Sequence, residues 1–250
     1  MLKSIRLEQK QLLSVLFTFL VYGIIFSWDV AALVVISIGF HETSHLFAAR
    51  QLGLNTNGLF LFPFMGGVAV IEDKYETQKQ NAIVALAGPI GGALLVAATL
   101  VMFQLTEISF LAEATLIMCF LNLFNLLPLS FLDGGQVINT ITYSANRKIG
   151  FHFKLYSSVT LFVLLLNLNL ILAFLILIFV LPGVIKESDE MKNFEEGNIH
   201  LCSEDSLNPP ESLSINEMIE VFTAWILTIL SLIIIAIEIL PNTKLFELVK

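Results

Sequence analysis

HETSH stands at residues 41–45, inside the apolar run VAALVVISIGFHETSHLFAA of residues 30–49. Residues four apart share one face of an α-helix, so the imidazoles of His41 and His45 can reach one metal ion, with Glu42 beside them as a base. The alternative is a pair of histidines that only pack within a helical bundle. That alternative is disfavoured because ionisable side chains at membrane depth are costly unless they pair or serve a function. The pattern predicts zinc hydrolase chemistry on a membrane helix.

The composition is that of an integral membrane protein. Of the 250 residues, 56% are hydrophobic and only 14% are charged, which excludes a soluble fold. There is no basic patch to indicate a nucleic-acid partner, and the acidic residues concentrate between Glu187 and Glu220. Cys119 and Cys202 indicate neither a disulfide framework nor a cysteine zinc site.

The predicted fold class is an all-α polytopic membrane protein with about six transmembrane helices and a short β-hairpin or re-entrant loop. The six apolar segments are residues 12–26, 30–49, 82–103, 114–127, 155–181 and 218–240. The stretch LFLFPFMGGVAVI at residues 59–71 is apolar, but Pro63, Gly66 and Gly67 interrupt it, so it is too broken for a span. It is therefore the predicted hairpin or re-entrant loop.

Three regions are predicted along the chain: an uncleaved N-terminal anchor at 1–29, a catalytic membrane core at 30–154, and C-terminal transmembrane helices at 155–250. Within the core, Pro128 ends the fourth span, Gly134 and Gly135 allow an irregular backbone, and a basic polar loop follows. Asparagines at 167 and 169 leave open whether 155–181 is one tilted span or a broken helix. The polar, acid-rich stretch 182–216 resembles a disordered linker, either inert or binding substrate.

The distribution of Lys and Arg predicts orientation. With both termini in the cytoplasm, all basic residues except Lys186 and Lys192 fall on the inner side. His45 and Asp133 then lie toward the cytoplasmic face. A chain this short and free of insertions is expected in a prokaryotic plasma membrane.

A catalytic zinc usually takes three protein ligands and one water, so two histidines require a third ligand. Asp133 is the best candidate, since it follows an apolar helix and is flanked by glycines. Less attractive are acidic residues in a polar stretch and histidines in loops: Glu72, Asp73, Glu76, His152 and His200. Zinc would lower the pKa of a bound water, and Glu42 would take the proton of that water. Residues 59–71 would either offer a strand edge to an unwound substrate or only pack against the helices.

HETSH at 41–45, AGP at 87–89 and NLLPLSFLDGG at 125–135 together resemble the site-2 protease family of intramembrane zinc metalloproteases. The resemblance covers about residues 30–137 and implies a three-helix catalytic core. It implies zinc ligation by His41, His45 and Asp133, with Glu42 as catalytic base and Asn125 bonding the substrate backbone or the oxyanion. It also implies regulated proteolysis of membrane-anchored proteins in the lipid bilayer.

The chain departs from the family pattern at two positions. Gly92 stands where members often have an asparagine, and Phe131 lies where a second proline is common. No insertion is long enough for a further soluble domain, so substrate selection rests with the core, the loops or a separate regulatory membrane partner. The alternatives are a membrane protein that binds or transports a metal, and a catalytically silent family member.

Overall fold

The computed structural model describes residues 2–64, 66–129, 132–168 and 209–243, with a few single positions between 181 and 192. The described chain is mostly helical with one small sheet. The helices are α1 (Leu2–Ile25), α2 (Trp28–Gln51), α3 (Gln78–Thr106), α4 (Ser109–Asn125), α5 (Asp133–Ala145), α6 (Arg147–Leu168) and α7 (Ile215–Ile239), the last followed by a 3-10 turn (Leu240–Asn242). The strands are β1 (Thr56–Phe62) and β2 (Gly66–Ile71).

The chain divides into two compact units. The first holds α1, α2, the two strands, most of α3, α4 and most of α7, from Met1–Lys74, Val84–Leu126 and Trp225–Lys250. Its core includes Ala112, Leu116 and Ile239, packed together. The second holds α5, α6 and the first turns of α3 and α7, from Tyr75–Ile83 and Leu127–Ala224. Leu129, Leu132 and Leu161 form its apolar cluster.

Three helices of the described chain are long and apolar enough to cross a membrane: Trp28–Gln51, Gln78–Thr106 and Ile215–Asn242. They contain the predicted spans 30–49, 82–103 and 218–240. Six spans are not confirmed. The α4 helix is apolar but shorter, and α1 carries charged residues in its first half. Residues 169–180 of the predicted span 155–181 lie outside the described residues.

Local sequence signals set the ends of α2. Ser27 caps the helix by accepting a hydrogen bond from Val30 N at 3.3 Å. Asp29 in the first turn and Arg50 in the last complement the helix dipole. The helix ends where Gly53 adopts a φ of +80°. These signals give the two histidines a regular helical frame.

The interrupted stretch at 59–71 forms a β-hairpin, which settles the choice left open by the sequence. β1 and β2 are antiparallel, with Phe60 opposite Val68, Leu61 opposite Gly67 and Phe62 opposite Gly66. Leu61 is 1% exposed. The hairpin packs against α1 and α2, so it lies beside the helix that carries HETSH.

The prediction of irregular backbone at Gly134 and Gly135, followed by a polar loop, is wrong. Asp133 begins α5, and the basic residues from Arg147 onward lie in α6. A carboxylate in the first turn stabilises a helix N-terminus, and α5 buries one face through residues that include Val137 and Thr140. That buried face packs against α6 and outweighs the low helix propensity of the glycines.

Residues 209–214 are the described end of the acidic stretch, and the expectation of disorder is wrong for them. Glu211 N donates to Glu76 O at 2.9 Å, and Glu211 O accepts from Gln78 N at 2.8 Å. Ser214 and Glu217 then form a reciprocal capping pair, in which Ser214 N donates to Glu217 Oε2 at 2.9 Å. This cap explains why α7 begins at Ile215, three residues before the predicted span.

Candidate metal centre

His41 and His45 both lie on the buried side of α2. Their side chains are 4% and 7% exposed, and their ring centroids are 4.9 Å apart. The i, i+4 spacing on a regular helix produces this proximity directly. The sequence prediction that one face of α2 carries both imidazoles is confirmed at the level of geometry.

The hydrogen bonds at Nδ1 fix the tautomer of each ring. His45 Nδ1 lies 2.6 Å from Val84 O, and a carbonyl only accepts, so Nδ1 carries the proton. His41 Nδ1 lies 3.1 Å from Asn122 Oδ1. Asn122 Nδ2 donates to Met118 O at 2.9 Å, which orients the amide so that its oxygen faces His41. In the neutral ring, Nε2 then carries the lone pair, which is the form in which imidazole binds a metal.

Both Nε2 atoms face the same point on α3. A Cβ atom added at Gly88 would collide with His45 Nε2 and lie 2.6 Å from His41 Nε2. Gly88 belongs to the AGP sequence and comes one turn after Val84, the residue that orients His45. The close approach of α3 to α2 therefore requires glycine at this position, and the two lone pairs converge as a shared metal ion requires.

Glu42 is 7% exposed and lies beside the hairpin. A Cβ atom at Gly67 would lie within 2.7 Å of Glu42 Cδ and Oε1. The backbone of β2 at Gly67 therefore lies directly against the Glu42 carboxylate. Glu42 thus stands next to the two imidazoles and next to an extended backbone, as a general base acting on a peptide would.

Asp133 offers a carboxylate oxygen from the first turn of α5. Asp133 belongs to the second compact unit, whereas His41 and His45 belong to the first, and it stays the predicted third ligand. Two neutral imidazoles and a carboxylate fit a catalytic zinc, which takes three protein ligands and keeps a fourth position for water.

Tyr75 contributes to the electrostatics around Asp133. Burial raises the pKa of the Tyr75 phenol above its ordinary value, and the nearby Asp133 carboxylate raises it further. The phenol therefore stays neutral at physiological pH and adds no negative charge to that of Asp133.

Asn122 is the functional residue that sequence reasoning missed. It is 1% exposed and bonds His41, whereas the predicted Asn125, three residues later, ends α4 and is half-buried. The available signal was the first asparagine of NLFN at residues 122–125, one helical turn before the family-like NLLP. The role of Asn125 at the substrate stays a prediction.

The glycine departure at position 92 has a physical reason. A Cβ atom at Gly92 would collide with the amide of Asn122. The space that a side chain at position 92 would fill is thus occupied by an asparagine from α4. The departure at Phe131 lies outside the described residues.

Comparisons with known proteins agree with this site. Residues 11–132 match the model of a family described as Peptidase M50B-like. The matched stretch is just under half of the chain. It contains HETSH and AGP and ends at Leu132, immediately before Asp133.

Two relatives are zinc metalloproteases by name. The chain is 29% identical over 167 residues to one from Methanocaldococcus jannaschii, a match covering 62% of this chain and 48% of the relative. It is 31% identical over 118 residues to a protein of Synechocystis sp. whose assignment as a zinc metalloprotease is provisional, covering 45% of this chain and 31% of that protein. The chain thus spans about half of the first relative and less of the second.

Proposed function

We propose that this chain is an intramembrane zinc metalloprotease that hydrolyses peptide bonds of membrane-anchored protein substrates. One observation carries the proposal: the two imidazoles of HETSH are held through Nδ1 with both Nε2 atoms converging at Gly88, beside Glu42. A purely structural pair of histidines has no need for two ring nitrogens that converge on one point. The family match and the names of the relatives support the same chemistry.

His41, His45 and Asp133 would hold the zinc. When bound, zinc supplies Lewis acidity that makes a water nucleophilic near neutral pH and polarises a carbonyl. Asn122 and Val84 O keep the two imidazoles in the ligating tautomer. Asp133 is assigned as the third ligand because it stands in the family-like sequence LDGG at residues 132–135.

Glu42 would act as the general base. It accepts a proton from the attacking water and returns that proton to the nitrogen of the leaving amine, so the carboxylate is regenerated at the end of the reaction. Glu42 need not bind the metal, since two histidines and one aspartate complete the protein ligands. Asn125 would donate a hydrogen bond to the substrate backbone or to the developing oxyanion.

The outer edge of β2 would receive the substrate. Leu61 N bonds Ser14 Oγ at 3.2 Å on the side away from β2, so Leu61 and Gly67 form a pair without ladder hydrogen bonds. By alternation, the backbone groups of Gly67 and Ala69 point to the outer edge. Within the part of the chain that the structure describes, no hydrogen bond engages these outward-pointing backbone groups. An unwound substrate can pair there as an added strand, next to Glu42.

The positions of the termini and of the site belong to the same proposal. Both termini would lie in the cytoplasm, with the site toward that side of a prokaryotic plasma membrane, because Lys and Arg concentrate in the loops assigned to the inner face. Substrate choice would rest with the membrane core or with a regulatory membrane partner.

Replacing Glu42 with glutamine tests the mechanism. Glu42→Gln keeps size and hydrogen bonding but cannot take a proton, so cleavage of a tagged single-span protein in proteoliposomes should fall by about 100- to 10,000-fold. Bound zinc should remain at one equivalent. The control is Glu8→Gln, at an exposed position on α1, which should cleave normally. Undiminished cleavage by Glu42→Gln would rule out this role.

The same variant identifies substrates in cells. Membrane proteins that accumulate uncut in Glu42→Gln cells, compared with wild-type cells, are the expected substrates. A metal transporter would instead move zinc across proteoliposomes without releasing any peptide fragment. A catalytically silent protein would give identical proteomes in the two strains.

A further inference from the structure

Helix α1 is attached to the hairpin by three side chains. Each forms a hydrogen bond with a backbone atom: Gln11 Nε2 to Asn57 O at 2.6 Å, Leu61 N to Ser14 Oγ at 3.2 Å, and Phe64 N to Tyr22 Oη at 2.8 Å. The bonds run in the same order along α1 and along the chain from β1 into the turn. The bond to Leu61 lies on the edge of β1 away from β2, and the bond to Phe64 engages the chain just after β1.

These side chains form a polar stripe on an otherwise apolar helix. Positions 11, 14, 18 and 22 share one helical face, and the fully buried Thr18 belongs to it. Large apolar residues on the other faces, such as Leu13 and Phe17, are exposed. A strand edge facing lipid would leave its backbone groups unsatisfied at considerable cost. The stripe removes that cost for β1.

The hydroxyl of Ser14 is directed at β1 by its other bond. Its proton is donated to Gln11 O at 2.7 Å, which leaves the oxygen to accept from Leu61 N. The attachment therefore requires a hydroxyl acceptor and is not a general contact between apolar surfaces.

The attached strand leads directly to the candidate site. Leu61 lies opposite Gly67, and the backbone of Gly67 lies directly against the Glu42 carboxylate. A two-stranded hairpin has little stability of its own, and a slip of one residue turns every side chain to the other face. The position of β2 at Glu42 therefore depends on what holds β1.

We propose that Gln11, Ser14 and Tyr22 are positioning residues that fix the register of the hairpin at Glu42. They act through β1 and touch neither metal nor substrate. This inference rests on the proposed protease function and extends it, because the register of the hairpin sets which bond of an added substrate strand reaches the site. Helix α1 is then part of the device that selects the scissile bond.

Hydrogen exchange tests the attachment without requiring activity. Ser14→Ala and Tyr22→Phe should each speed exchange in the peptide covering 59–64 by about fivefold or more, the factor expected for losing one hydrogen bond. Ser14→Thr keeps the hydroxyl and should preserve protection. The matched control is Ser231→Ala, because Ser231 Oγ bonds only Thr228 O of its own helix among the described residues. Unchanged exchange in both test variants would overturn the inference.

Mass spectrometry of the cleavage products tests the consequence. The probe is a tagged single-span protein in proteoliposomes, and an Asn-Pro pair interrupts the helix of its membrane segment. Ser14→Ala and Tyr22→Phe should spread the cut to neighbouring bonds, whereas Ser14→Thr should keep the wild-type cut. Loss of folded protein alone would lower the yield without moving the cut. A single unmoved cut at the wild-type kcat/KM would overturn the positioning role.

The two proposals fail in different ways. Cleavage by Glu42→Gln at the wild-type rate would count against the proposed catalytic function. It would leave the attachment of α1 to be decided by the exchange measurement, which involves no substrate.

Discussion

At the scale of single residues, the hydrogen bonds at Nδ1 of His41 and His45 decide how the two rings can bind a metal. HETSH identifies which side chains share a face, but the Nδ1 partners decide which atom is left to bind a metal. Asn122 and the carbonyl of Val84 make that choice for His41 and His45. Both partners are distant in the sequence and arrive only through helix packing.

Replacing Asn122 separates metal binding from substrate binding. Asn122→Ala removes the acceptor for His41 Nδ1, and loss of such an orienting partner costs about 10- to 100-fold in metal affinity. Asn125→Ala should leave zinc affinity unchanged while lowering the rate of cleavage. Competition with a fluorescent zinc chelator measures the affinities. Equal zinc affinity in the wild type and Asn122→Ala would contradict the role of Asn122.

Gly88 offers a steric test of the convergence point. Gly88→Ala would place a methyl group against both Nε2 atoms, so zinc content should drop well below one equivalent. Gly39→Ala is the matched control, since a Cβ at Gly39 of α2 meets no other atom within 4 Å. Zinc analysis of the purified proteins distinguishes them. Full zinc occupancy in Gly88→Ala would show that the nitrogens converge elsewhere.

At the scale of elements, the strand β2 links the metal site to a peptide substrate. Its inner edge pairs with β1 and its outer edge is the proposed place for an added strand. Phe60 and Val68 should form a ladder-bonded pair, whereas Ala69 should direct its N–H outward.

A proline at each of two adjacent positions tests this edge. Ala69→Pro removes an outward N–H but no ladder bond, so the hairpin should persist while KM for the single-span probe rises. Val68→Pro removes a ladder bond and should disturb the hairpin itself, which hydrogen exchange at 59–64 would report. An unchanged KM in Ala69→Pro, with the protein folded, would exclude strand addition at this edge.

Local signals predicted some elements and missed others. The pattern of HETSH in an apolar run was sufficient to predict α2. The interruptions at Pro63 and Gly67 excluded a span at 59–71 but did not decide between a hairpin and a re-entrant loop. The helix α5 was missed because two glycines argue against a helix, while packing of Val137 and Thr140 decides in its favour. Asn122 could not be selected because its partner is defined only when α4 packs against α2.

At the scale of the whole molecule, the distribution of charge predicts an orientation in the membrane. Three apolar helices of sufficient length are present in the described chain, and the basic residues favour cytoplasmic termini. This orientation places the HETSH end of α2 toward the cytoplasm.

The two cysteines allow the orientation to be measured in the native chain. Cys202 belongs to the polar stretch predicted outside, whereas Cys119 is buried in α4. A membrane-impermeant maleimide added to intact cells should label the protein, and Cys202→Ser should abolish labelling. Labelling only after the cells are opened would reverse the predicted orientation.

Zinc reconstitution of the metal-free protein tests the central claim most directly. Chelated wild-type protein in proteoliposomes should not cleave the single-span probe, and activity should return in proportion to added zinc up to one equivalent. Glu42→Gln should bind the same equivalent without regaining activity. Full cleavage by the metal-free wild type, or restoration of cleavage in Glu42→Gln, would contradict the account of HETSH as a zinc protease centre.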